Sequence, residues 1–308
     1  GIVRKPRALK QGDRIALVAP ASPFSRDEFT RGVAEIEQLG FVPVFDDSVF
    51  ARESGYLAGS PEVRAEAFTR YWTDSEVSAL LAVRGGYGSV HLLPLLDRAR
   101  MAARPKLFIG YSDNTSMLSW LTCQCGIAAL HGPMLEGRLA GGEGYDKRSF
   151  LELLSGGRGL ELAPEGLTVL RAGEARGPLF GGTITQLVSS LGTPFAFDPP
   201  EECVLFLEEV GERPYRIDRM MTQLALSGLL ARARALVFGE MRGCDEPGGN
   251  VSALDAIRRT TREFSGPVVV GFPSGHTTGP TWTLPLGVTV AVSTGPKPAL
   301  VIEEAAVE

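Results

Sequence analysis

The chain has 308 residues, a formal net charge of −5 and 44% hydrophobic residues, enough for one large or two ordinary domains with a full core. No apolar run reaches the roughly 20 residues that cross a bilayer, so no membrane span is expected. The acidic balance, with no basic block, argues against nucleic acid or an anionic membrane as partner. Gly1 in place of Met reads as a trimmed start, with no charged n-region and apolar h-region behind it.

Residues 15–20 form a buried-type strand run, and residues 27–39 carry helical spacing at Phe29, Val33, Ile36 and Leu39 before Gly40. Pro61 opens a second helix with Val63, Phe68 and Tyr71 on it. A strand at 77–83, a helix at 90–98 and a strand ending at Ser112 follow, then a helix-like stretch at 113–121. Strand–helix alternation of this kind predicts α/β architecture, a parallel sheet with helices on both faces. Residues 137–177 are punctuated by glycines and read as a linker with one short helix at 147–154. Beyond it come a helix at 183–191, strands at 204–209, 235–239, 267–271, 288–292 and 300–303, and helices at 216–226 and 251–264. This pattern predicts a mixed α+β C-terminal unit. The expected division is residues 1–158, carrying the nucleophile, and residues 178–308, carrying its partners.

The chemistry centres on Ser112, where the strand Leu107-Phe108-Ile109-Gly110 breaks and a hydroxyl is presented at its carboxyl end. A serine nucleophile needs a general base and an orienting acid. Of the three histidines, His91 at a helix start reads as a surface or capping residue. His131, at a strand end before Gly132-Pro133, fits a cleft position and a satisfied core position equally. His276 follows Gly271 and Gly275, whose backbone freedom can aim a side chain off a strand end, and is a candidate base. The strand at 204–209 ends in Glu208 and Glu209, of which one can face the serine because neighbours on a strand point to opposite faces. The amide of Asp113 is the natural oxyanion donor, and Gly85 and Gly86 in the turn Arg84-Gly85-Gly86-Tyr87-Gly88 let backbone approach a ligand closely. Cys123, Cys125, Cys203 and Cys244 complete no zinc spacing and read as free thiols suited to a reducing cytoplasm, so neither metal nor cofactor is expected.

Together these segments resemble the LD-carboxypeptidase family of serine peptidases, which also contains the microcin C self-immunity peptidases. The matching pieces are Gly12-Asp13-Arg14-Ile15, Ala19-Pro20-Ala21-Ser22, Arg84-Gly85-Gly86-Tyr87-Gly88, Gly110-Tyr111-Ser112-Asp113 and His131-Gly132-Pro133. They continue with Leu205-Phe206-Leu207-Glu208-Glu209, Pro214-Tyr215-Arg216-Ile217-Asp218-Arg219 and Gly271-Phe272-Pro273-Ser274-Gly275-His276, in family order over nearly the whole chain. The resemblance implies a flavodoxin-like N-terminal domain and a smaller C-terminal domain with a barrel-like sheet, commonly in a homodimer. It implies a triad of Ser112, Glu208 and His276, with Asp113 and Gly85 or Gly86 lining the oxyanion hole. It also implies release of a C-terminal D-alanine from murein tetrapeptide during cell-wall recycling.

A carboxypeptidase must neutralise its substrate's terminal carboxylate, which makes Arg84 a candidate; Tyr87, in the same turn, is a second candidate for substrate binding. Two rival readings remain at this stage. A peptidyl- or aminoacyl-nucleotide hydrolase would need an aromatic platform such as Trp282 or Trp120, and a murein-fragment binding protein would use the cleft without turnover, leaving Ser112 unreactive to a fluorophosphonate.

Overall fold

The computed structural model describes residues 3–308; Gly1 lies outside them. The first sheet is built by strand–helix alternation. β1 (Arg14–Val18) leads through α1 (Arg26–Gln38) to β2 (Val42–Val44), and α2 (Pro61–Thr73) leads to β3 (Val77–Ala82). Ser25 and Ser60 cap the two helices by accepting from Glu28 N and Val63 N, and Pro61 supplies a first helical turn that needs no amide donor. α3 (Arg98–Ala103) precedes β4 (Leu107–Gly110), then come α4 (Thr115–Ser119) and β5 (Ala129–His131). β2, β1, β3, β4 and β5 lie side by side in parallel. Every residue of β3 and β4 is buried, as expected of a parallel strand covered on both faces. The edge beyond β5 is closed by an antiparallel segment, Leu284–Leu286, from far along the chain.

Two helices differ from expectation here. Residues 90–98 do not form one helix. A 3-10 stretch, Ser89–Leu95, contains Pro94, which cannot donate to a continuing helix, and Asp97 then caps α3 as a new start. The stretch after Ser112 changes pitch twice, from 3-10 (Ser112–Asn114) through α4 to a π turn (Trp120–Gln124).

The second sheet draws on the stretch read as a linker. That stretch holds α5 (Lys147–Leu154), but also β6 (Leu160–Leu162) and β7 (Thr168–Arg171), each too short to show a period. β8 (Glu174–Thr183) is followed by α6 (Ile184–Ser189), β9 (Cys203–Glu208), α7 (Pro214–Leu226), β10 (Ala233–Phe238), α8 (Ala253–Thr260) and β11 (Val268–Val270). These four strands are parallel neighbours. β12 (Leu284–Leu286) is the segment lent to the first sheet, and β13 (Thr289–Ser293) and β14 (Ala299–Ile302) return to the second. The full order is β6-β14-β13-β8-β9-β10-β11-β7. β8 serves both halves: Glu174–Pro178 pairs antiparallel with β13, and Leu179–Thr183 pairs parallel with β9. No helix among the described residues is long and apolar enough to cross a membrane.

Candidate active site

The carboxyl ends of the parallel strands carry the polar groups. β4 ends at Gly110 and Ser112 follows two residues later with φ of +63°, a left-handed conformation that costs a non-glycine residue about 1–2 kcal/mol. That turn lifts the hydroxyl out of the strand line instead of burying it. β9 ends at Glu208, and the loop after β11 carries His276.

The structure brings these three side chains together. His276 Nε2 lies 3.0 Å from Ser112 Oγ, and His276 Nδ1 lies 2.8 Å and 3.1 Å from the two oxygens of Glu208. An ionised carboxylate only accepts, so Nδ1 carries the proton and Nε2 is left free to accept from the serine hydroxyl. Glu208 is 1% exposed. Burial alone would raise its pKa, but the hydrogen bonds and charge of His276 outweigh it and hold the carboxyl below its ordinary value. The His276 amide donates to Oε1 at 2.7 Å, and Thr183 Oγ1, at the end of β8, donates to Oε2 at 2.5 Å.

Glu209 points elsewhere. Its Oε2 accepts from the amide and hydroxyl of Thr185, both at 2.7 Å, tying it to the start of α6, and burial pushes its pKa up to about 7. His131 lies behind the site: it is fully buried, Nδ1 pairs with Ser274 Oγ at 2.8 Å, and burial holds its pKa near about 4, so the ring is neutral. Its Nε2 has no hydrogen-bond partner. His91 sits apart, between Arg64 and the Tyr87 hydroxyl.

Gly85 packs directly against Ser112. A Cβ there would stand 3.0 Å from Ser112 Oγ and 3.4 Å from the Asp113 amide, the space an oxyanion would fill. The turn is pinned from two sides. Ser22 donates its amide to Gly85 O at 3.1 Å and accepts from the Tyr87 amide at 3.0 Å. Gly86, at φ +89°, passes so close to Ser22 that a Cβ would meet its hydroxyl at 2.2 Å. From below, the buried Asp113 carboxylate accepts from the Ser89 amide at 2.9 Å, and the Ser89 hydroxyl donates to Asp113 O at 2.8 Å.

Arg84 and Tyr87 are both exposed. Arg84 donates to the Pro23 carbonyl, and its charge bears on Glu136. Tyr87 borders a cavity of about 360 Å³ that adjoins Asp113 and is also lined by Leu93, Ser116, Gln186 and Phe195. A broader depression of about 800 Å³ around Gly173 and Arg234 holds none of these groups.

Composition and motif gave no sign of Thr183, Ser89 or Arg138. Arg138 is buried and donates to the Tyr111 hydroxyl at 3.1 Å and to the carbonyls of Gly275 at 2.9 Å and Gly279 at 3.0 Å, gripping the loop that bears His276. Tyr111 in turn lays its ring edge-on to His276 at 5.3 Å. All four cysteines are unpaired, with burial raising their thiols to about 11 or 12. Among the described residues no cluster of His, Cys, Asp or Glu is arranged to hold a metal.

Comparison with known proteins adds the following. Residues 15–132 match the pattern of LD-carboxypeptidase N-terminal domains, and residues 176–292 match that of LD-carboxypeptidase C-terminal domains. The probable murein peptide carboxypeptidase of Bacillus subtilis is 32% identical over 304 residues, covering 96% of this chain and 94% of that protein. The solved muramoyltetrapeptide carboxypeptidase of Oxalobacter formigenes superposes with a TM-score of 0.83 at 28% identity, over 94% of this chain and 99% of the other. A structure of the microcin C7 self-immunity protein, at 22% identity, gives a TM-score of 0.88 over 98% of this chain and 99% of the other, a likeness of fold.

Proposed function

The chain belongs to the LD-carboxypeptidase family, and we propose that it is a serine carboxypeptidase that releases the C-terminal D-alanine from murein tetrapeptide by cleaving an L,D-amide bond. The observation that carries this reading is the relay Glu208–His276–Ser112, at 2.8 Å and 3.0 Å, built on a left-handed serine. Ser112 Oγ attacks the scissile carbonyl while His276 Nε2 takes its proton, and Glu208 stabilises the imidazolium. The Asp113 amide and the backbone at Gly85, of the two candidate glycines the one beside Ser112, face the developing oxyanion. His276 then returns the proton to the leaving amine, and water resolves the acyl-enzyme by the same route in reverse. The cavity beside Asp113 has room for part of a peptide next to the reacting bond.

Peptidoglycan recycling, a cytoplasmic setting and a homodimer accompany this proposal on the strength of the family resemblance. The nucleotide-hydrolase alternative has less support. Trp120 is 2% exposed and belongs to the core, so it offers no open face for a base, and Trp282 is half-buried with its ring edge-on to Phe272 at 6.3 Å. The test offers murein tetrapeptide and an aminoacyl sulfamoyl adenosine side by side. Release of D-alanine, lost in Ser112→Ala, is the expected result, and turnover of the nucleotide alone would remove the proposal.

A further inference from the structure

A carboxypeptidase holds a negative charge at a fixed distance from its nucleophile. The terminal carboxyl carbon is separated from the scissile carbon by one nitrogen and one Cα, a span of roughly 4 Å at most. The cation that receives it must therefore stand at the rim of the Ser112–His276 pair. Besides Arg64, which is buried and committed to the carbonyls of Gly59, Pro20 and Gly88, three arginines have their heads on the segments that carry the site, and their engagements differ.

Arg138 is buried and committed: Nε serves Tyr111, Nη1 serves Gly144 and Gly279, and Nη2 serves Gly275 and Thr277. Arg84 is tied to the Pro23 carbonyl with Glu136 as its charge neighbour. Arg242 is exposed, makes one long bond from Nη1 to the Thr277 carbonyl at 3.3 Å, and has no ion-pair partner among the described residues. Thr277 follows the candidate base. The charge of Arg242 also reaches the buried Tyr111, whose ring lies against His276.

The backbone beneath Arg242 is held as well as the side chain is free. β10 ends beside Glu208, and Gly239 runs so close that a Cβ would meet Glu208 Cβ at 2.6 Å. Met241 then adopts φ of +56°, a left-handed conformation that a long side chain takes only under constraint. The constraint is visible: Gly211 N donates to Arg242 O at 2.9 Å and Cys244 N to Met241 O at 3.2 Å. A strained, pinned backbone thus delivers an arginine with its Nε and Nη2 uncommitted to the loop that follows His276.

We infer that Arg242 binds the C-terminal carboxylate of the substrate, an assignment that rests on the carboxypeptidase reading of this same site. A planar guanidinium with two open donors matches a carboxylate in a bidentate fork. Selectivity for a free terminus over an internal bond follows, because an internal peptide brings no charge to this position.

The experiment compares a tetrapeptide ending in D-alanine with its C-terminal carboxamide, in the wild-type protein, Arg242→Ala, Arg242→Lys and Arg84→Ala. Arg242→Ala is expected to lower kcat/KM on the free acid about 10- to 100-fold and to leave the carboxamide within about threefold, erasing the preference. Arg242→Lys should recover part of it. A preference intact in Arg242→Ala, or one lost only in Arg84→Ala, overturns the assignment. A second readout is protection of Ser112 from fluorophosphonate labelling by the same two peptides. If the wild-type protein releases no D-alanine, the hydrolytic reading fails on its own. Protection by the acid over the carboxamide, abolished in Arg242→Ala, would still support the carboxylate site, and equal protection would overturn it.

Discussion

The two sheets contribute to the site in different ways. The first positions its parts with backbone: Ser112 is aimed by a left-handed turn, Gly85 presses main chain against it, and Gly86 presses against Ser22, where no side chain fits. The second positions its parts with side chains: Glu208 is held by Thr183 and His276, and the His276 loop is gripped by Arg138, which reaches across from the segment after β5. Backbone placement leaves punctuation in the sequence, because only glycine tolerates such approaches. Side-chain placement leaves almost none, because its partners lie tens to more than a hundred residues apart.

Three substitutions sharpen this contrast. The largest effect is expected at Gly85→Ala, whose methyl group would occupy the oxyanion space; kcat should fall about 10²- to 10³-fold, the usual loss for a missing oxyanion donor, with thermal stability little changed. An equal loss of stability would instead make Gly85 a packing residue. Next comes Arg138→Met, which keeps bulk and removes the donors to Gly275 and Gly279. Here kcat should drop about 10-fold or more with KM nearly constant, because His276, the proposed base, is displaced by a fraction of an ångström, not lost. Unchanged kcat would show that the His276 loop holds itself.

The smallest effect concerns stability and pH. His131 has a pKa near about 4 when folded against 6.5 in its ordinary state, so between these values the unfolded chain carries a proton that the folded one refuses. Its contribution is therefore lost as pH falls from 6.5 towards 4, by up to about 3 kcal/mol. Glu209, raised to about 7 from 4.5, works the other way, and its contribution is lost as pH rises through that window. Urea unfolding of His131→Asn should show the variant gaining on the wild-type protein between pH 6.5 and 4.5. A constant difference would mean that His131 is not the buried neutral group described here.

Much of the first sheet is legible in the sequence. β4 is an unbroken apolar run, β1 is one after Arg14 and β3 is interrupted only by Ser78, and α1 and α2 carry caps and periodic apolar positions. What escaped notice depends on distant pairing. β6 and β7 have three and four residues and exist as strands because β14 and β11 lie beside them. β12 contains a proline and joins the first sheet only by meeting β5. At the site, Ser112 was marked by its strand break and His276 by flanking glycines. The choice between Glu208 and Glu209 needed the family pattern, since alternation says that one faces inward but not which. Arg138, Ser89 and Thr183 had no local signal, because each acts through a contact made only once both sheets are in place.

The central claim is that the second sheet's carboxylate acts through Glu208 while its neighbour holds α6. D-alanine release from murein tetrapeptide by Glu208→Gln and Glu209→Gln, measured side by side, tests it most directly. The expected result is a fall in kcat of about 10³- to 10⁴-fold for Glu208→Gln, as when a triad acid is neutralised, and less than about 10-fold for Glu209→Gln. A large loss in Glu209→Gln with Glu208→Gln near wild-type activity would contradict it.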